Sequence, residues 1–251
     1  MPPATNSSPL CLGTGLLITA IGLLILMLTA GPTVAAEAAL LEHLQISRST
    51  DDLPAMRERR QIRALVTYSR TDFSIKPDGK AVGLQVELLS QYEKHLNKGI
   101  KREQNRTRIV LIPTTFDRLL ADLEEGKGDI AAALLTLTPE RLGRVDFVSG
   151  RAMAVDELIV IHKDVEGIDD LDDLAGRTVQ VLRSSSYAEH LRALNQKFMA
   201  KGLATVDIQE ADSQLLSEDI LEMVDAGIHP ITVVDDYKAR LWAQVLGSPT
   251  P

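Results

Sequence analysis

Three short polar sets stand directly after apolar runs, and their residue types suit them to grip a small charged molecule. The first is Thr136, Thr138 and Arg141, which follow the apolar residues 130–135. That run is too short for a free-standing helix and too uniformly apolar for an exposed strand, so it reads as a buried parallel strand. Ligands of open α/β sheets bind beyond the carboxyl ends of such strands, and an arginine fork matches a carboxylate. The plainer alternative is a solvated loop charge. The second set is Arg183-Ser184-Ser185-Ser186, between a strand and a helix start. Free backbone N–H groups there favour an anion, but the same run also makes an ordinary helix cap. The third is Asp235-Asp236 after residues 231–234. It is either an N-cap carboxylate or an acceptor for a ligand ammonium. An arginine from one half of the chain and an aspartate from the other would together read an amino acid zwitterion.

The elements that must position these groups follow a repeating pattern. Residues 62–68 read as a strand, and 69–80 as a polar loop with Pro77, Asp78 and Gly79 as turn residues. Gly83 opens a helix in which Leu84, Leu88, Leu89, Tyr92 and Leu96 recur at helical spacing as packing residues. A second strand covers 109–112 and stops at Pro113. Thr115 is a candidate cap for a helix using Phe116, Leu119, Leu120 and Leu123, which Gly126 ends. The strand at 130–135 comes next, with a short one at 145–147. The order strand–helix–strand–helix–strand predicts right-handed crossovers in a parallel sheet. The pattern then restarts, with strands at 157–161, 178–182, 206–209 and 231–234. An acidic turn at 169–174 and helices at 186–199, from the cap Ser217 to Gly227, and at 235–246 lie between and after them. Two α/β lobes in series, 59–152 and 153–246, joined near 150–156, are the economical reading.

Before the lobes, residues 1–36 contain no Asp, Glu, Lys or Arg, and 10–30 are apolar apart from Thr and Gly. The small residues Val34-Ala35-Ala36 match an export-signal cleavage site after Ala36 or Ala38, while the apolar length also suits a single membrane-spanning anchor. Either reading puts the rest of the chain outside the cytoplasm. Residues 37–58 read as a linker, and 247–251 as a tail. The basic cluster Arg57, Arg59, Arg60 and Arg63 reads as a solvated face. The single cysteine, Cys11, lies in the leader, so the remainder has no disulfide or thiolate nucleophile.

Composition narrows the function. Of 251 residues 45% are hydrophobic, ample for a core, while aromatics at 4% and a formal charge of −8 argue against a nucleic-acid partner. The five histidines have no paired metal spacing, and there is no nucleophile elbow, phosphate loop or dinucleotide fingerprint. No metal, cofactor or catalytic residue is expected.

Several motifs carry a family resemblance. Gly83-Leu84-Gln85-Val86-Glu87-Leu88, Gly126-Lys127-Gly128-Asp129 and Thr136-Leu137-Thr138-Pro139-Glu140-Arg141, followed by Asp146-Phe147-Val148-Ser149, are the main ones. Together with Asp169-Leu171-Leu174-Ala175-Gly176, they resemble the bacterial extracellular solute-binding proteins of family 3 across residues 60–245. The resemblance implies an α/β, two-lobed periplasmic-binding-protein-like fold with parallel-rich sheets flanked by helices. It also implies that Arg141 binds a ligand carboxylate with help from Thr136 and Ser185, and that Asp235 binds the ligand ammonium. Gln85 departs from the family's acid, Leu134 from a small residue, and Arg183-Ser184-Ser185 from a Ser-Gly-Thr type loop.

The stretch from Leu221 to Tyr237 is similar to the binding half of the membrane-bound lytic murein transglycosylase F group. That group's catalytic Glu-Ser motif does not occur in this sequence. The expectation is therefore a carboxyl-terminally truncated, exported, non-catalytic solute-binding module. Its partner is a small polar ligand, an amino acid or a peptide- or muropeptide-like molecule, with peptidoglycan fragments or an ABC permease as further partners and the membrane reached only through an uncleaved leader. The alternative is the regulatory half of a peptidoglycan lytic transglycosylase. A purely structural envelope protein would show no ligand response.

Overall fold

The computed structural model describes residues 48–148 and 154–246. Strand β1 (Gln61–Thr67) is the centre of the first lobe, and all its residues but Gln61 are buried. It runs parallel to β4 (Arg108–Thr114) on one side and β5 (Ile130–Ala132) on the other. A strand between two neighbours and covered on both faces needs a continuous buried run, which is what Ile62 to Val66 provide. Between β1 and β4 the chain makes a small hairpin, β2 (Ser74–Ile75) with β3 (Ala81–Val82), and then helix α2 (Leu84–Leu96). Helix α3 (Leu119–Glu124) crosses from β4 to β5.

Several expectations change here. The presumed linker contains helix α1 (Leu53–Glu58), with Pro54 in its first turn, where a missing N–H costs nothing. Residues 37–47 of that linker lie outside the described residues, as do the leader 1–36 with Cys11 and the tail 247–251. Pro113 sits inside β4 instead of ending it, because among the described residues β4 is an edge strand with no second neighbour to hydrogen-bond. The strand expected over 130–135 shrinks to Ile130–Ala132 and is only half-buried, and residues 145–147 form no strand. On α2, Leu89 and Leu96 are buried with Gln85, while Leu84, Leu88 and Tyr92 are exposed. At 100° per residue these are two stripes, and only one faces the sheet. Gly83 starts this helix at φ +129, and a Cβ there would come within 2.3 Å of the Asp72 carbonyl oxygen. The glycine lets the helix start press against the loop after β1.

The basic cluster is not uniformly solvated. Arg63 is buried on β1, and its backbone N–H and Nη2 both donate to the Asp129 carboxylate at 2.7 Å. Arg59 Nη2 lies 2.6 Å from the same carboxylate. Burial opposes ionisation of Asp129, but the hydrogen bonds from Arg63 and Arg59 outweigh it and hold the carboxyl below its ordinary range. The turn Gly126 to Asp129 thus locks β5 to β1.

The second lobe holds a sheet in the order β6 (Glu157–Ile161), β9 (Ile231–Asp235), β7 (Thr178–Val181), β8 (Asp207–Glu210). Strand β6 is antiparallel to β9, and the other pairs are parallel. Helices α5 (Ser186–Lys201), α6 (Ser217–Asp225) and α7 (Asp236–Leu246) follow β7, β8 and β9. Ser217 is the first residue of α6 instead of its cap. Leu174, Val179, Phe198, Ile231 and Trp242 are among the buried residues of one core cluster. Of the expected joint at 150–156, residues 150–153 lie outside the described residues.

The lobes touch directly. Ser69 Oγ donates to Glu218 Oε1 at 2.6 Å, Arg70 pairs with Asp219 and Glu222 on α6, and its guanidinium lies 5.0 Å from the Trp242 ring centre. Phe116 packs against the cluster of Leu182, Ala211 and Ile220.

Candidate functional site

A cavity of about 70 Å³ opens where the carboxyl ends of β1 and β4 meet the start of α6. Thr67, Ser69, Asp72 and Phe116 line it from the first lobe, and Glu218 and Lys238 from the second. This is the crevice beyond the carboxyl ends of parallel strands, where side chains diverge from a rigid sheet. The loop after β1 is organised by Ser69, whose Oγ accepts from the Asp72 N–H while donating to Glu218.

The carboxylates here are nearly enclosed. Asp72 is 6% exposed and Glu218 2% exposed. Burial pushes the Asp72 carboxyl above its ordinary range, Lys238 pulls it back, and Glu218 pushes it further. Asp235, the last residue of β9, is 5% exposed, and its Oδ1 has no hydrogen-bond partner. Burial raises its carboxyl too, opposed by Lys238 and by hydrogen bonds with the Tyr187 and Tyr237 hydroxyls. Its N–H donates to the Tyr187 hydroxyl at 3.2 Å. Burial, and then the nearby Asp235, raise both the Tyr187 and Tyr237 hydroxyls. Lys238 thus favours ionisation of both Asp72 and Asp235, although these come from different lobes.

Arg141 lies elsewhere. It belongs to the short helix α4 (Pro139–Leu142), is 3% exposed, and lines a separate cavity of about 160 Å³ with Ser184 and Glu189. Its Nε donates to Glu189 Oε1, Nη1 to the Thr136 carbonyl and Nη2 to the Ser184 carbonyl, each at 3.1 Å. An internal carboxylate thus stands where the resemblance implies one from a ligand. Two non-glycine residues at positive φ flank this arrangement, Leu134 at 48° and Ser184 at 57°. The turn at Ser184 coincides with its carbonyl meeting the guanidinium; such conformations cost free energy and cluster at binding sites.

Thr138 and Ser185 act as helix caps. Thr138 Oγ accepts from the Arg141 N–H, and Ser185 Oγ from the Ala188 N–H, both at 3.3 Å. Thr136 contributes its backbone oxygen. The fold therefore brings Thr136, Thr138 and Arg141 beside Ser184 and Ser185, and sets Asp235 with Tyr187 and Lys238. Among the described residues no hydrogen bond or ion pair joins Arg141 to Asp235. Of the charged groups in the two cavities, Asp72 lies in the loop after the first strand, while Glu189, Glu218 and Lys238 sit in first turns of helices. Nothing in their local sequence separates them from ordinary helix-surface charges. Among the described residues no group of three or more His, Cys, Asp or Glu is placed to hold a metal. No helix among them is long and apolar enough to cross a membrane.

With this geometry in place, similarity to known proteins becomes informative. The model for bacterial extracellular solute-binding proteins, family 3, matches residues 62–232. A membrane-bound lytic murein transglycosylase F from Maricaulis maris is 31% identical over 192 residues, 76% of this chain and 39% of the relative. The L-cystine-binding protein TcyJ of Escherichia coli is 31% identical over 115 residues, 46% of this chain and 40% of the relative. The chain thus spans about two fifths of the length of these curated relatives. A putative L-cystine ABC transporter from Listeria monocytogenes superposes with a TM-score of 0.61 at 19% identity, covering 74% of this chain and 73% of that one. An ancestral arginine-binding protein bound to arginine gives 0.58 at 24% identity, covering 74% of both chains. At such identities the structures establish the shared two-lobed α/β fold.

Proposed function

Because the chain belongs to the bacterial extracellular solute-binding proteins of family 3, we propose that its two lobes, 59–152 and 153–246, clamp a small polar ligand outside the cytoplasm without chemistry of their own. The observation that carries this reading is the cavity walled by Ser69 and Asp72 from one lobe and Glu218 and Lys238 from the other. A ligand held between such walls stabilises the closed arrangement by its differential contacts. Asp235, enclosed at the end of β9 beside Tyr187, is in this reading the acceptor for a ligand ammonium, as the family resemblance implies. Residues 1–36 serve as an export signal or anchor in this reading.

Two destinations fit a clamp of this kind. One is delivery of an amino acid or peptide to an ABC permease. The other is regulation of a peptidoglycan lytic transglycosylase, with a muropeptide-like ligand. The extent of similarity favours the second: the transglycosylase F relative aligns over 192 residues and the cystine-binding protein over 115. Calorimetric titration of the chain with amino acids and with muropeptides separates the two. Saturable binding of one class is the expected result, and no heat from either would leave the structural-protein reading standing.

A further inference from the structure

Arg70 is held so that it can join one lobe to the other. It lies at the tip of a tight turn that is tied twice. Ser69 N–H donates to the Phe73 carbonyl at 2.9 Å, and Phe73 N–H to the Ser69 carbonyl at 3.2 Å. The Thr71 and Asp72 carbonyls accept from the Leu84 and Gln85 N–H groups, which fixes the turn to the start of α2. Backbone ordering is thus met within the first lobe, and only the Arg70 side chain remains to be placed. That side chain reaches the second lobe at three points. Its terminal nitrogens fork onto the two Glu222 oxygens, Nη2 also donates to Asp219 Oδ1 at 3.2 Å, and the guanidinium lies 5.0 Å from the Trp242 ring centre. Asp219 and Glu222 belong to α6, and Trp242 belongs to α7 and to the second lobe's core. A single exposed ion pair contributes little, but a forked arginine within a network and over an aromatic face is the exception. The hydrogen bond from Arg70 holds the Glu222 carboxyl below its ordinary range, in keeping with this pairing.

The position of this contact relates it to the cavity. Ser69 and Asp72, on either side in sequence, line the cavity, as does Glu218 on α6, but Arg70 is not among the described residues that line it. The contact is also open to solvent, with the Arg70 side chain 48% exposed. Ser69, Glu218 and Arg141, which carry other ties between the lobes, are buried. Dissolved salt therefore screens the Arg70 contact far more than those.

We propose that Arg70 is a latch that holds the two lobes together beside the cavity, and that ionic strength sets its grip. The inference rests on the clamp reading given above and adds to it a positioning residue that acts without touching the ligand.

Spin labels on exposed positions of each lobe test this, at Lys98→Cys and Lys163→Cys in the full chain carrying Cys11→Ser. Pulsed electron resonance then reads the spread of lobe–lobe distances with no ligand required. The expected distribution is narrow at about 20 mM salt and at least about twofold broader at about 500 mM. Arg70→Ala and Glu222→Lys are each expected to broaden it at low salt and to remove its response to salt. The exchange Arg70→Glu with Glu222→Lys is expected to return part of the narrowing, because it keeps an attraction between the same two sites. Acrylamide quenching of Trp242, the chain's only tryptophan, reads the local contact, and Arg70→Ala is expected to raise it about threefold. A distance distribution that neither variant changes overturns the inference. If quenching rises while the distances stay the same, Arg70 only covers the ring, and the latch is again overturned. An exchange that restores nothing overturns the electrostatic latch. None of these outcomes touches the clamp reading, which fails separately if no ligand binds in the titrations above.

Discussion

The two lobes share a fold pattern but hold together by different means. In the second lobe fourteen buried apolar residues, among them Val179, Phe198 and Trp242, form one cluster among the described residues. In the first the corresponding cluster has four, Ala64, Val66, Phe73 and Leu89. The first lobe instead buries charge. Arg63 and Arg59 converge on Asp129, and Asp122 accepts from Thr114, Arg118 and Lys127. The lobes also offer their polar groups differently. The first presents them from loops after strands, at Ser69 and Asp72, and the second from first turns of helices, at Glu189, Glu218 and Lys238. A parallel strand end is set by the sheet's register, whereas a helix first turn is set by packing on the core. One lobe is thus a well-packed platform, and the other sets its loop-borne polar groups against it.

The sharpest way to break this comparison is to cut into each core. Phe198→Ala and Phe73→Ala each remove a fully buried ring and are expected to cost about 3–5 kcal/mol. Urea unfolding with hydrogen exchange should show Phe198→Ala loosening the platform, while Phe73→Ala exposes only the first lobe's amides. Next in size is Asp129→Asn, which strands Arg63 inside the first lobe. A loss of about 3 kcal/mol in urea unfolding is expected, since removing one partner of a buried pair leaves an uncompensated charge. Gly83→Ala forces a Cβ onto the Asp72 carbonyl and should cost about 1–3 kcal/mol, again confined to the first lobe. Smallest is Ser185→Ala, a lost cap on α5 of about 1 kcal/mol. It should lower the melting temperature and leave ligand affinity unchanged; a loss of affinity would restore Ser185 as a ligand contact.

Acid sharpens the contrast further. The Asp129 carboxyl is lowered, so its stabilisation is present above the ordinary carboxylate pKa of about 4 and lost only as pH falls through its depressed value. Asp72 and Asp235 are raised by burial, so they contribute stability below that ordinary pKa which is lost as pH rises through their raised values. Melting temperatures taken from neutrality toward about pH 4 should therefore show a gain from the cleft carboxyls. Asp72→Asn with Asp235→Asn should abolish that gain and raise stability at neutral pH.

Much of the scaffold was legible in the sequence, because periodicity follows from burial. The strand Glu157–Ile161 falls where its apolar run does, and so does the α5 helix that starts at Ser186. Strand direction was less legible: β6 runs antiparallel to β9, and nothing in Glu157–Ile161 records its partner's direction. Arg63 looked solvated because its counter-ion Asp129 lies 66 residues away. At the site, Thr138 and Ser185 illustrate a true degeneracy, since a hydroxyl before a helix serves equally as cap or ligand contact. Arg141 was singled out by its place after a strand, but its acceptor Glu189, 48 residues on, is one carboxylate among many. The cleft's charge is a property of juxtaposition across lobes, which no local pattern encodes.

Hydrogen exchange of the full chain, with and without each member of a panel of amino acids, amino acid amides and muropeptides, tests the clamp most directly. The account predicts a ligand that slows exchange at 67–72 in the first lobe and at 213–218 in the second together. Protection confined to one lobe by every ligand that binds, or protection by none of the panel, would contradict it.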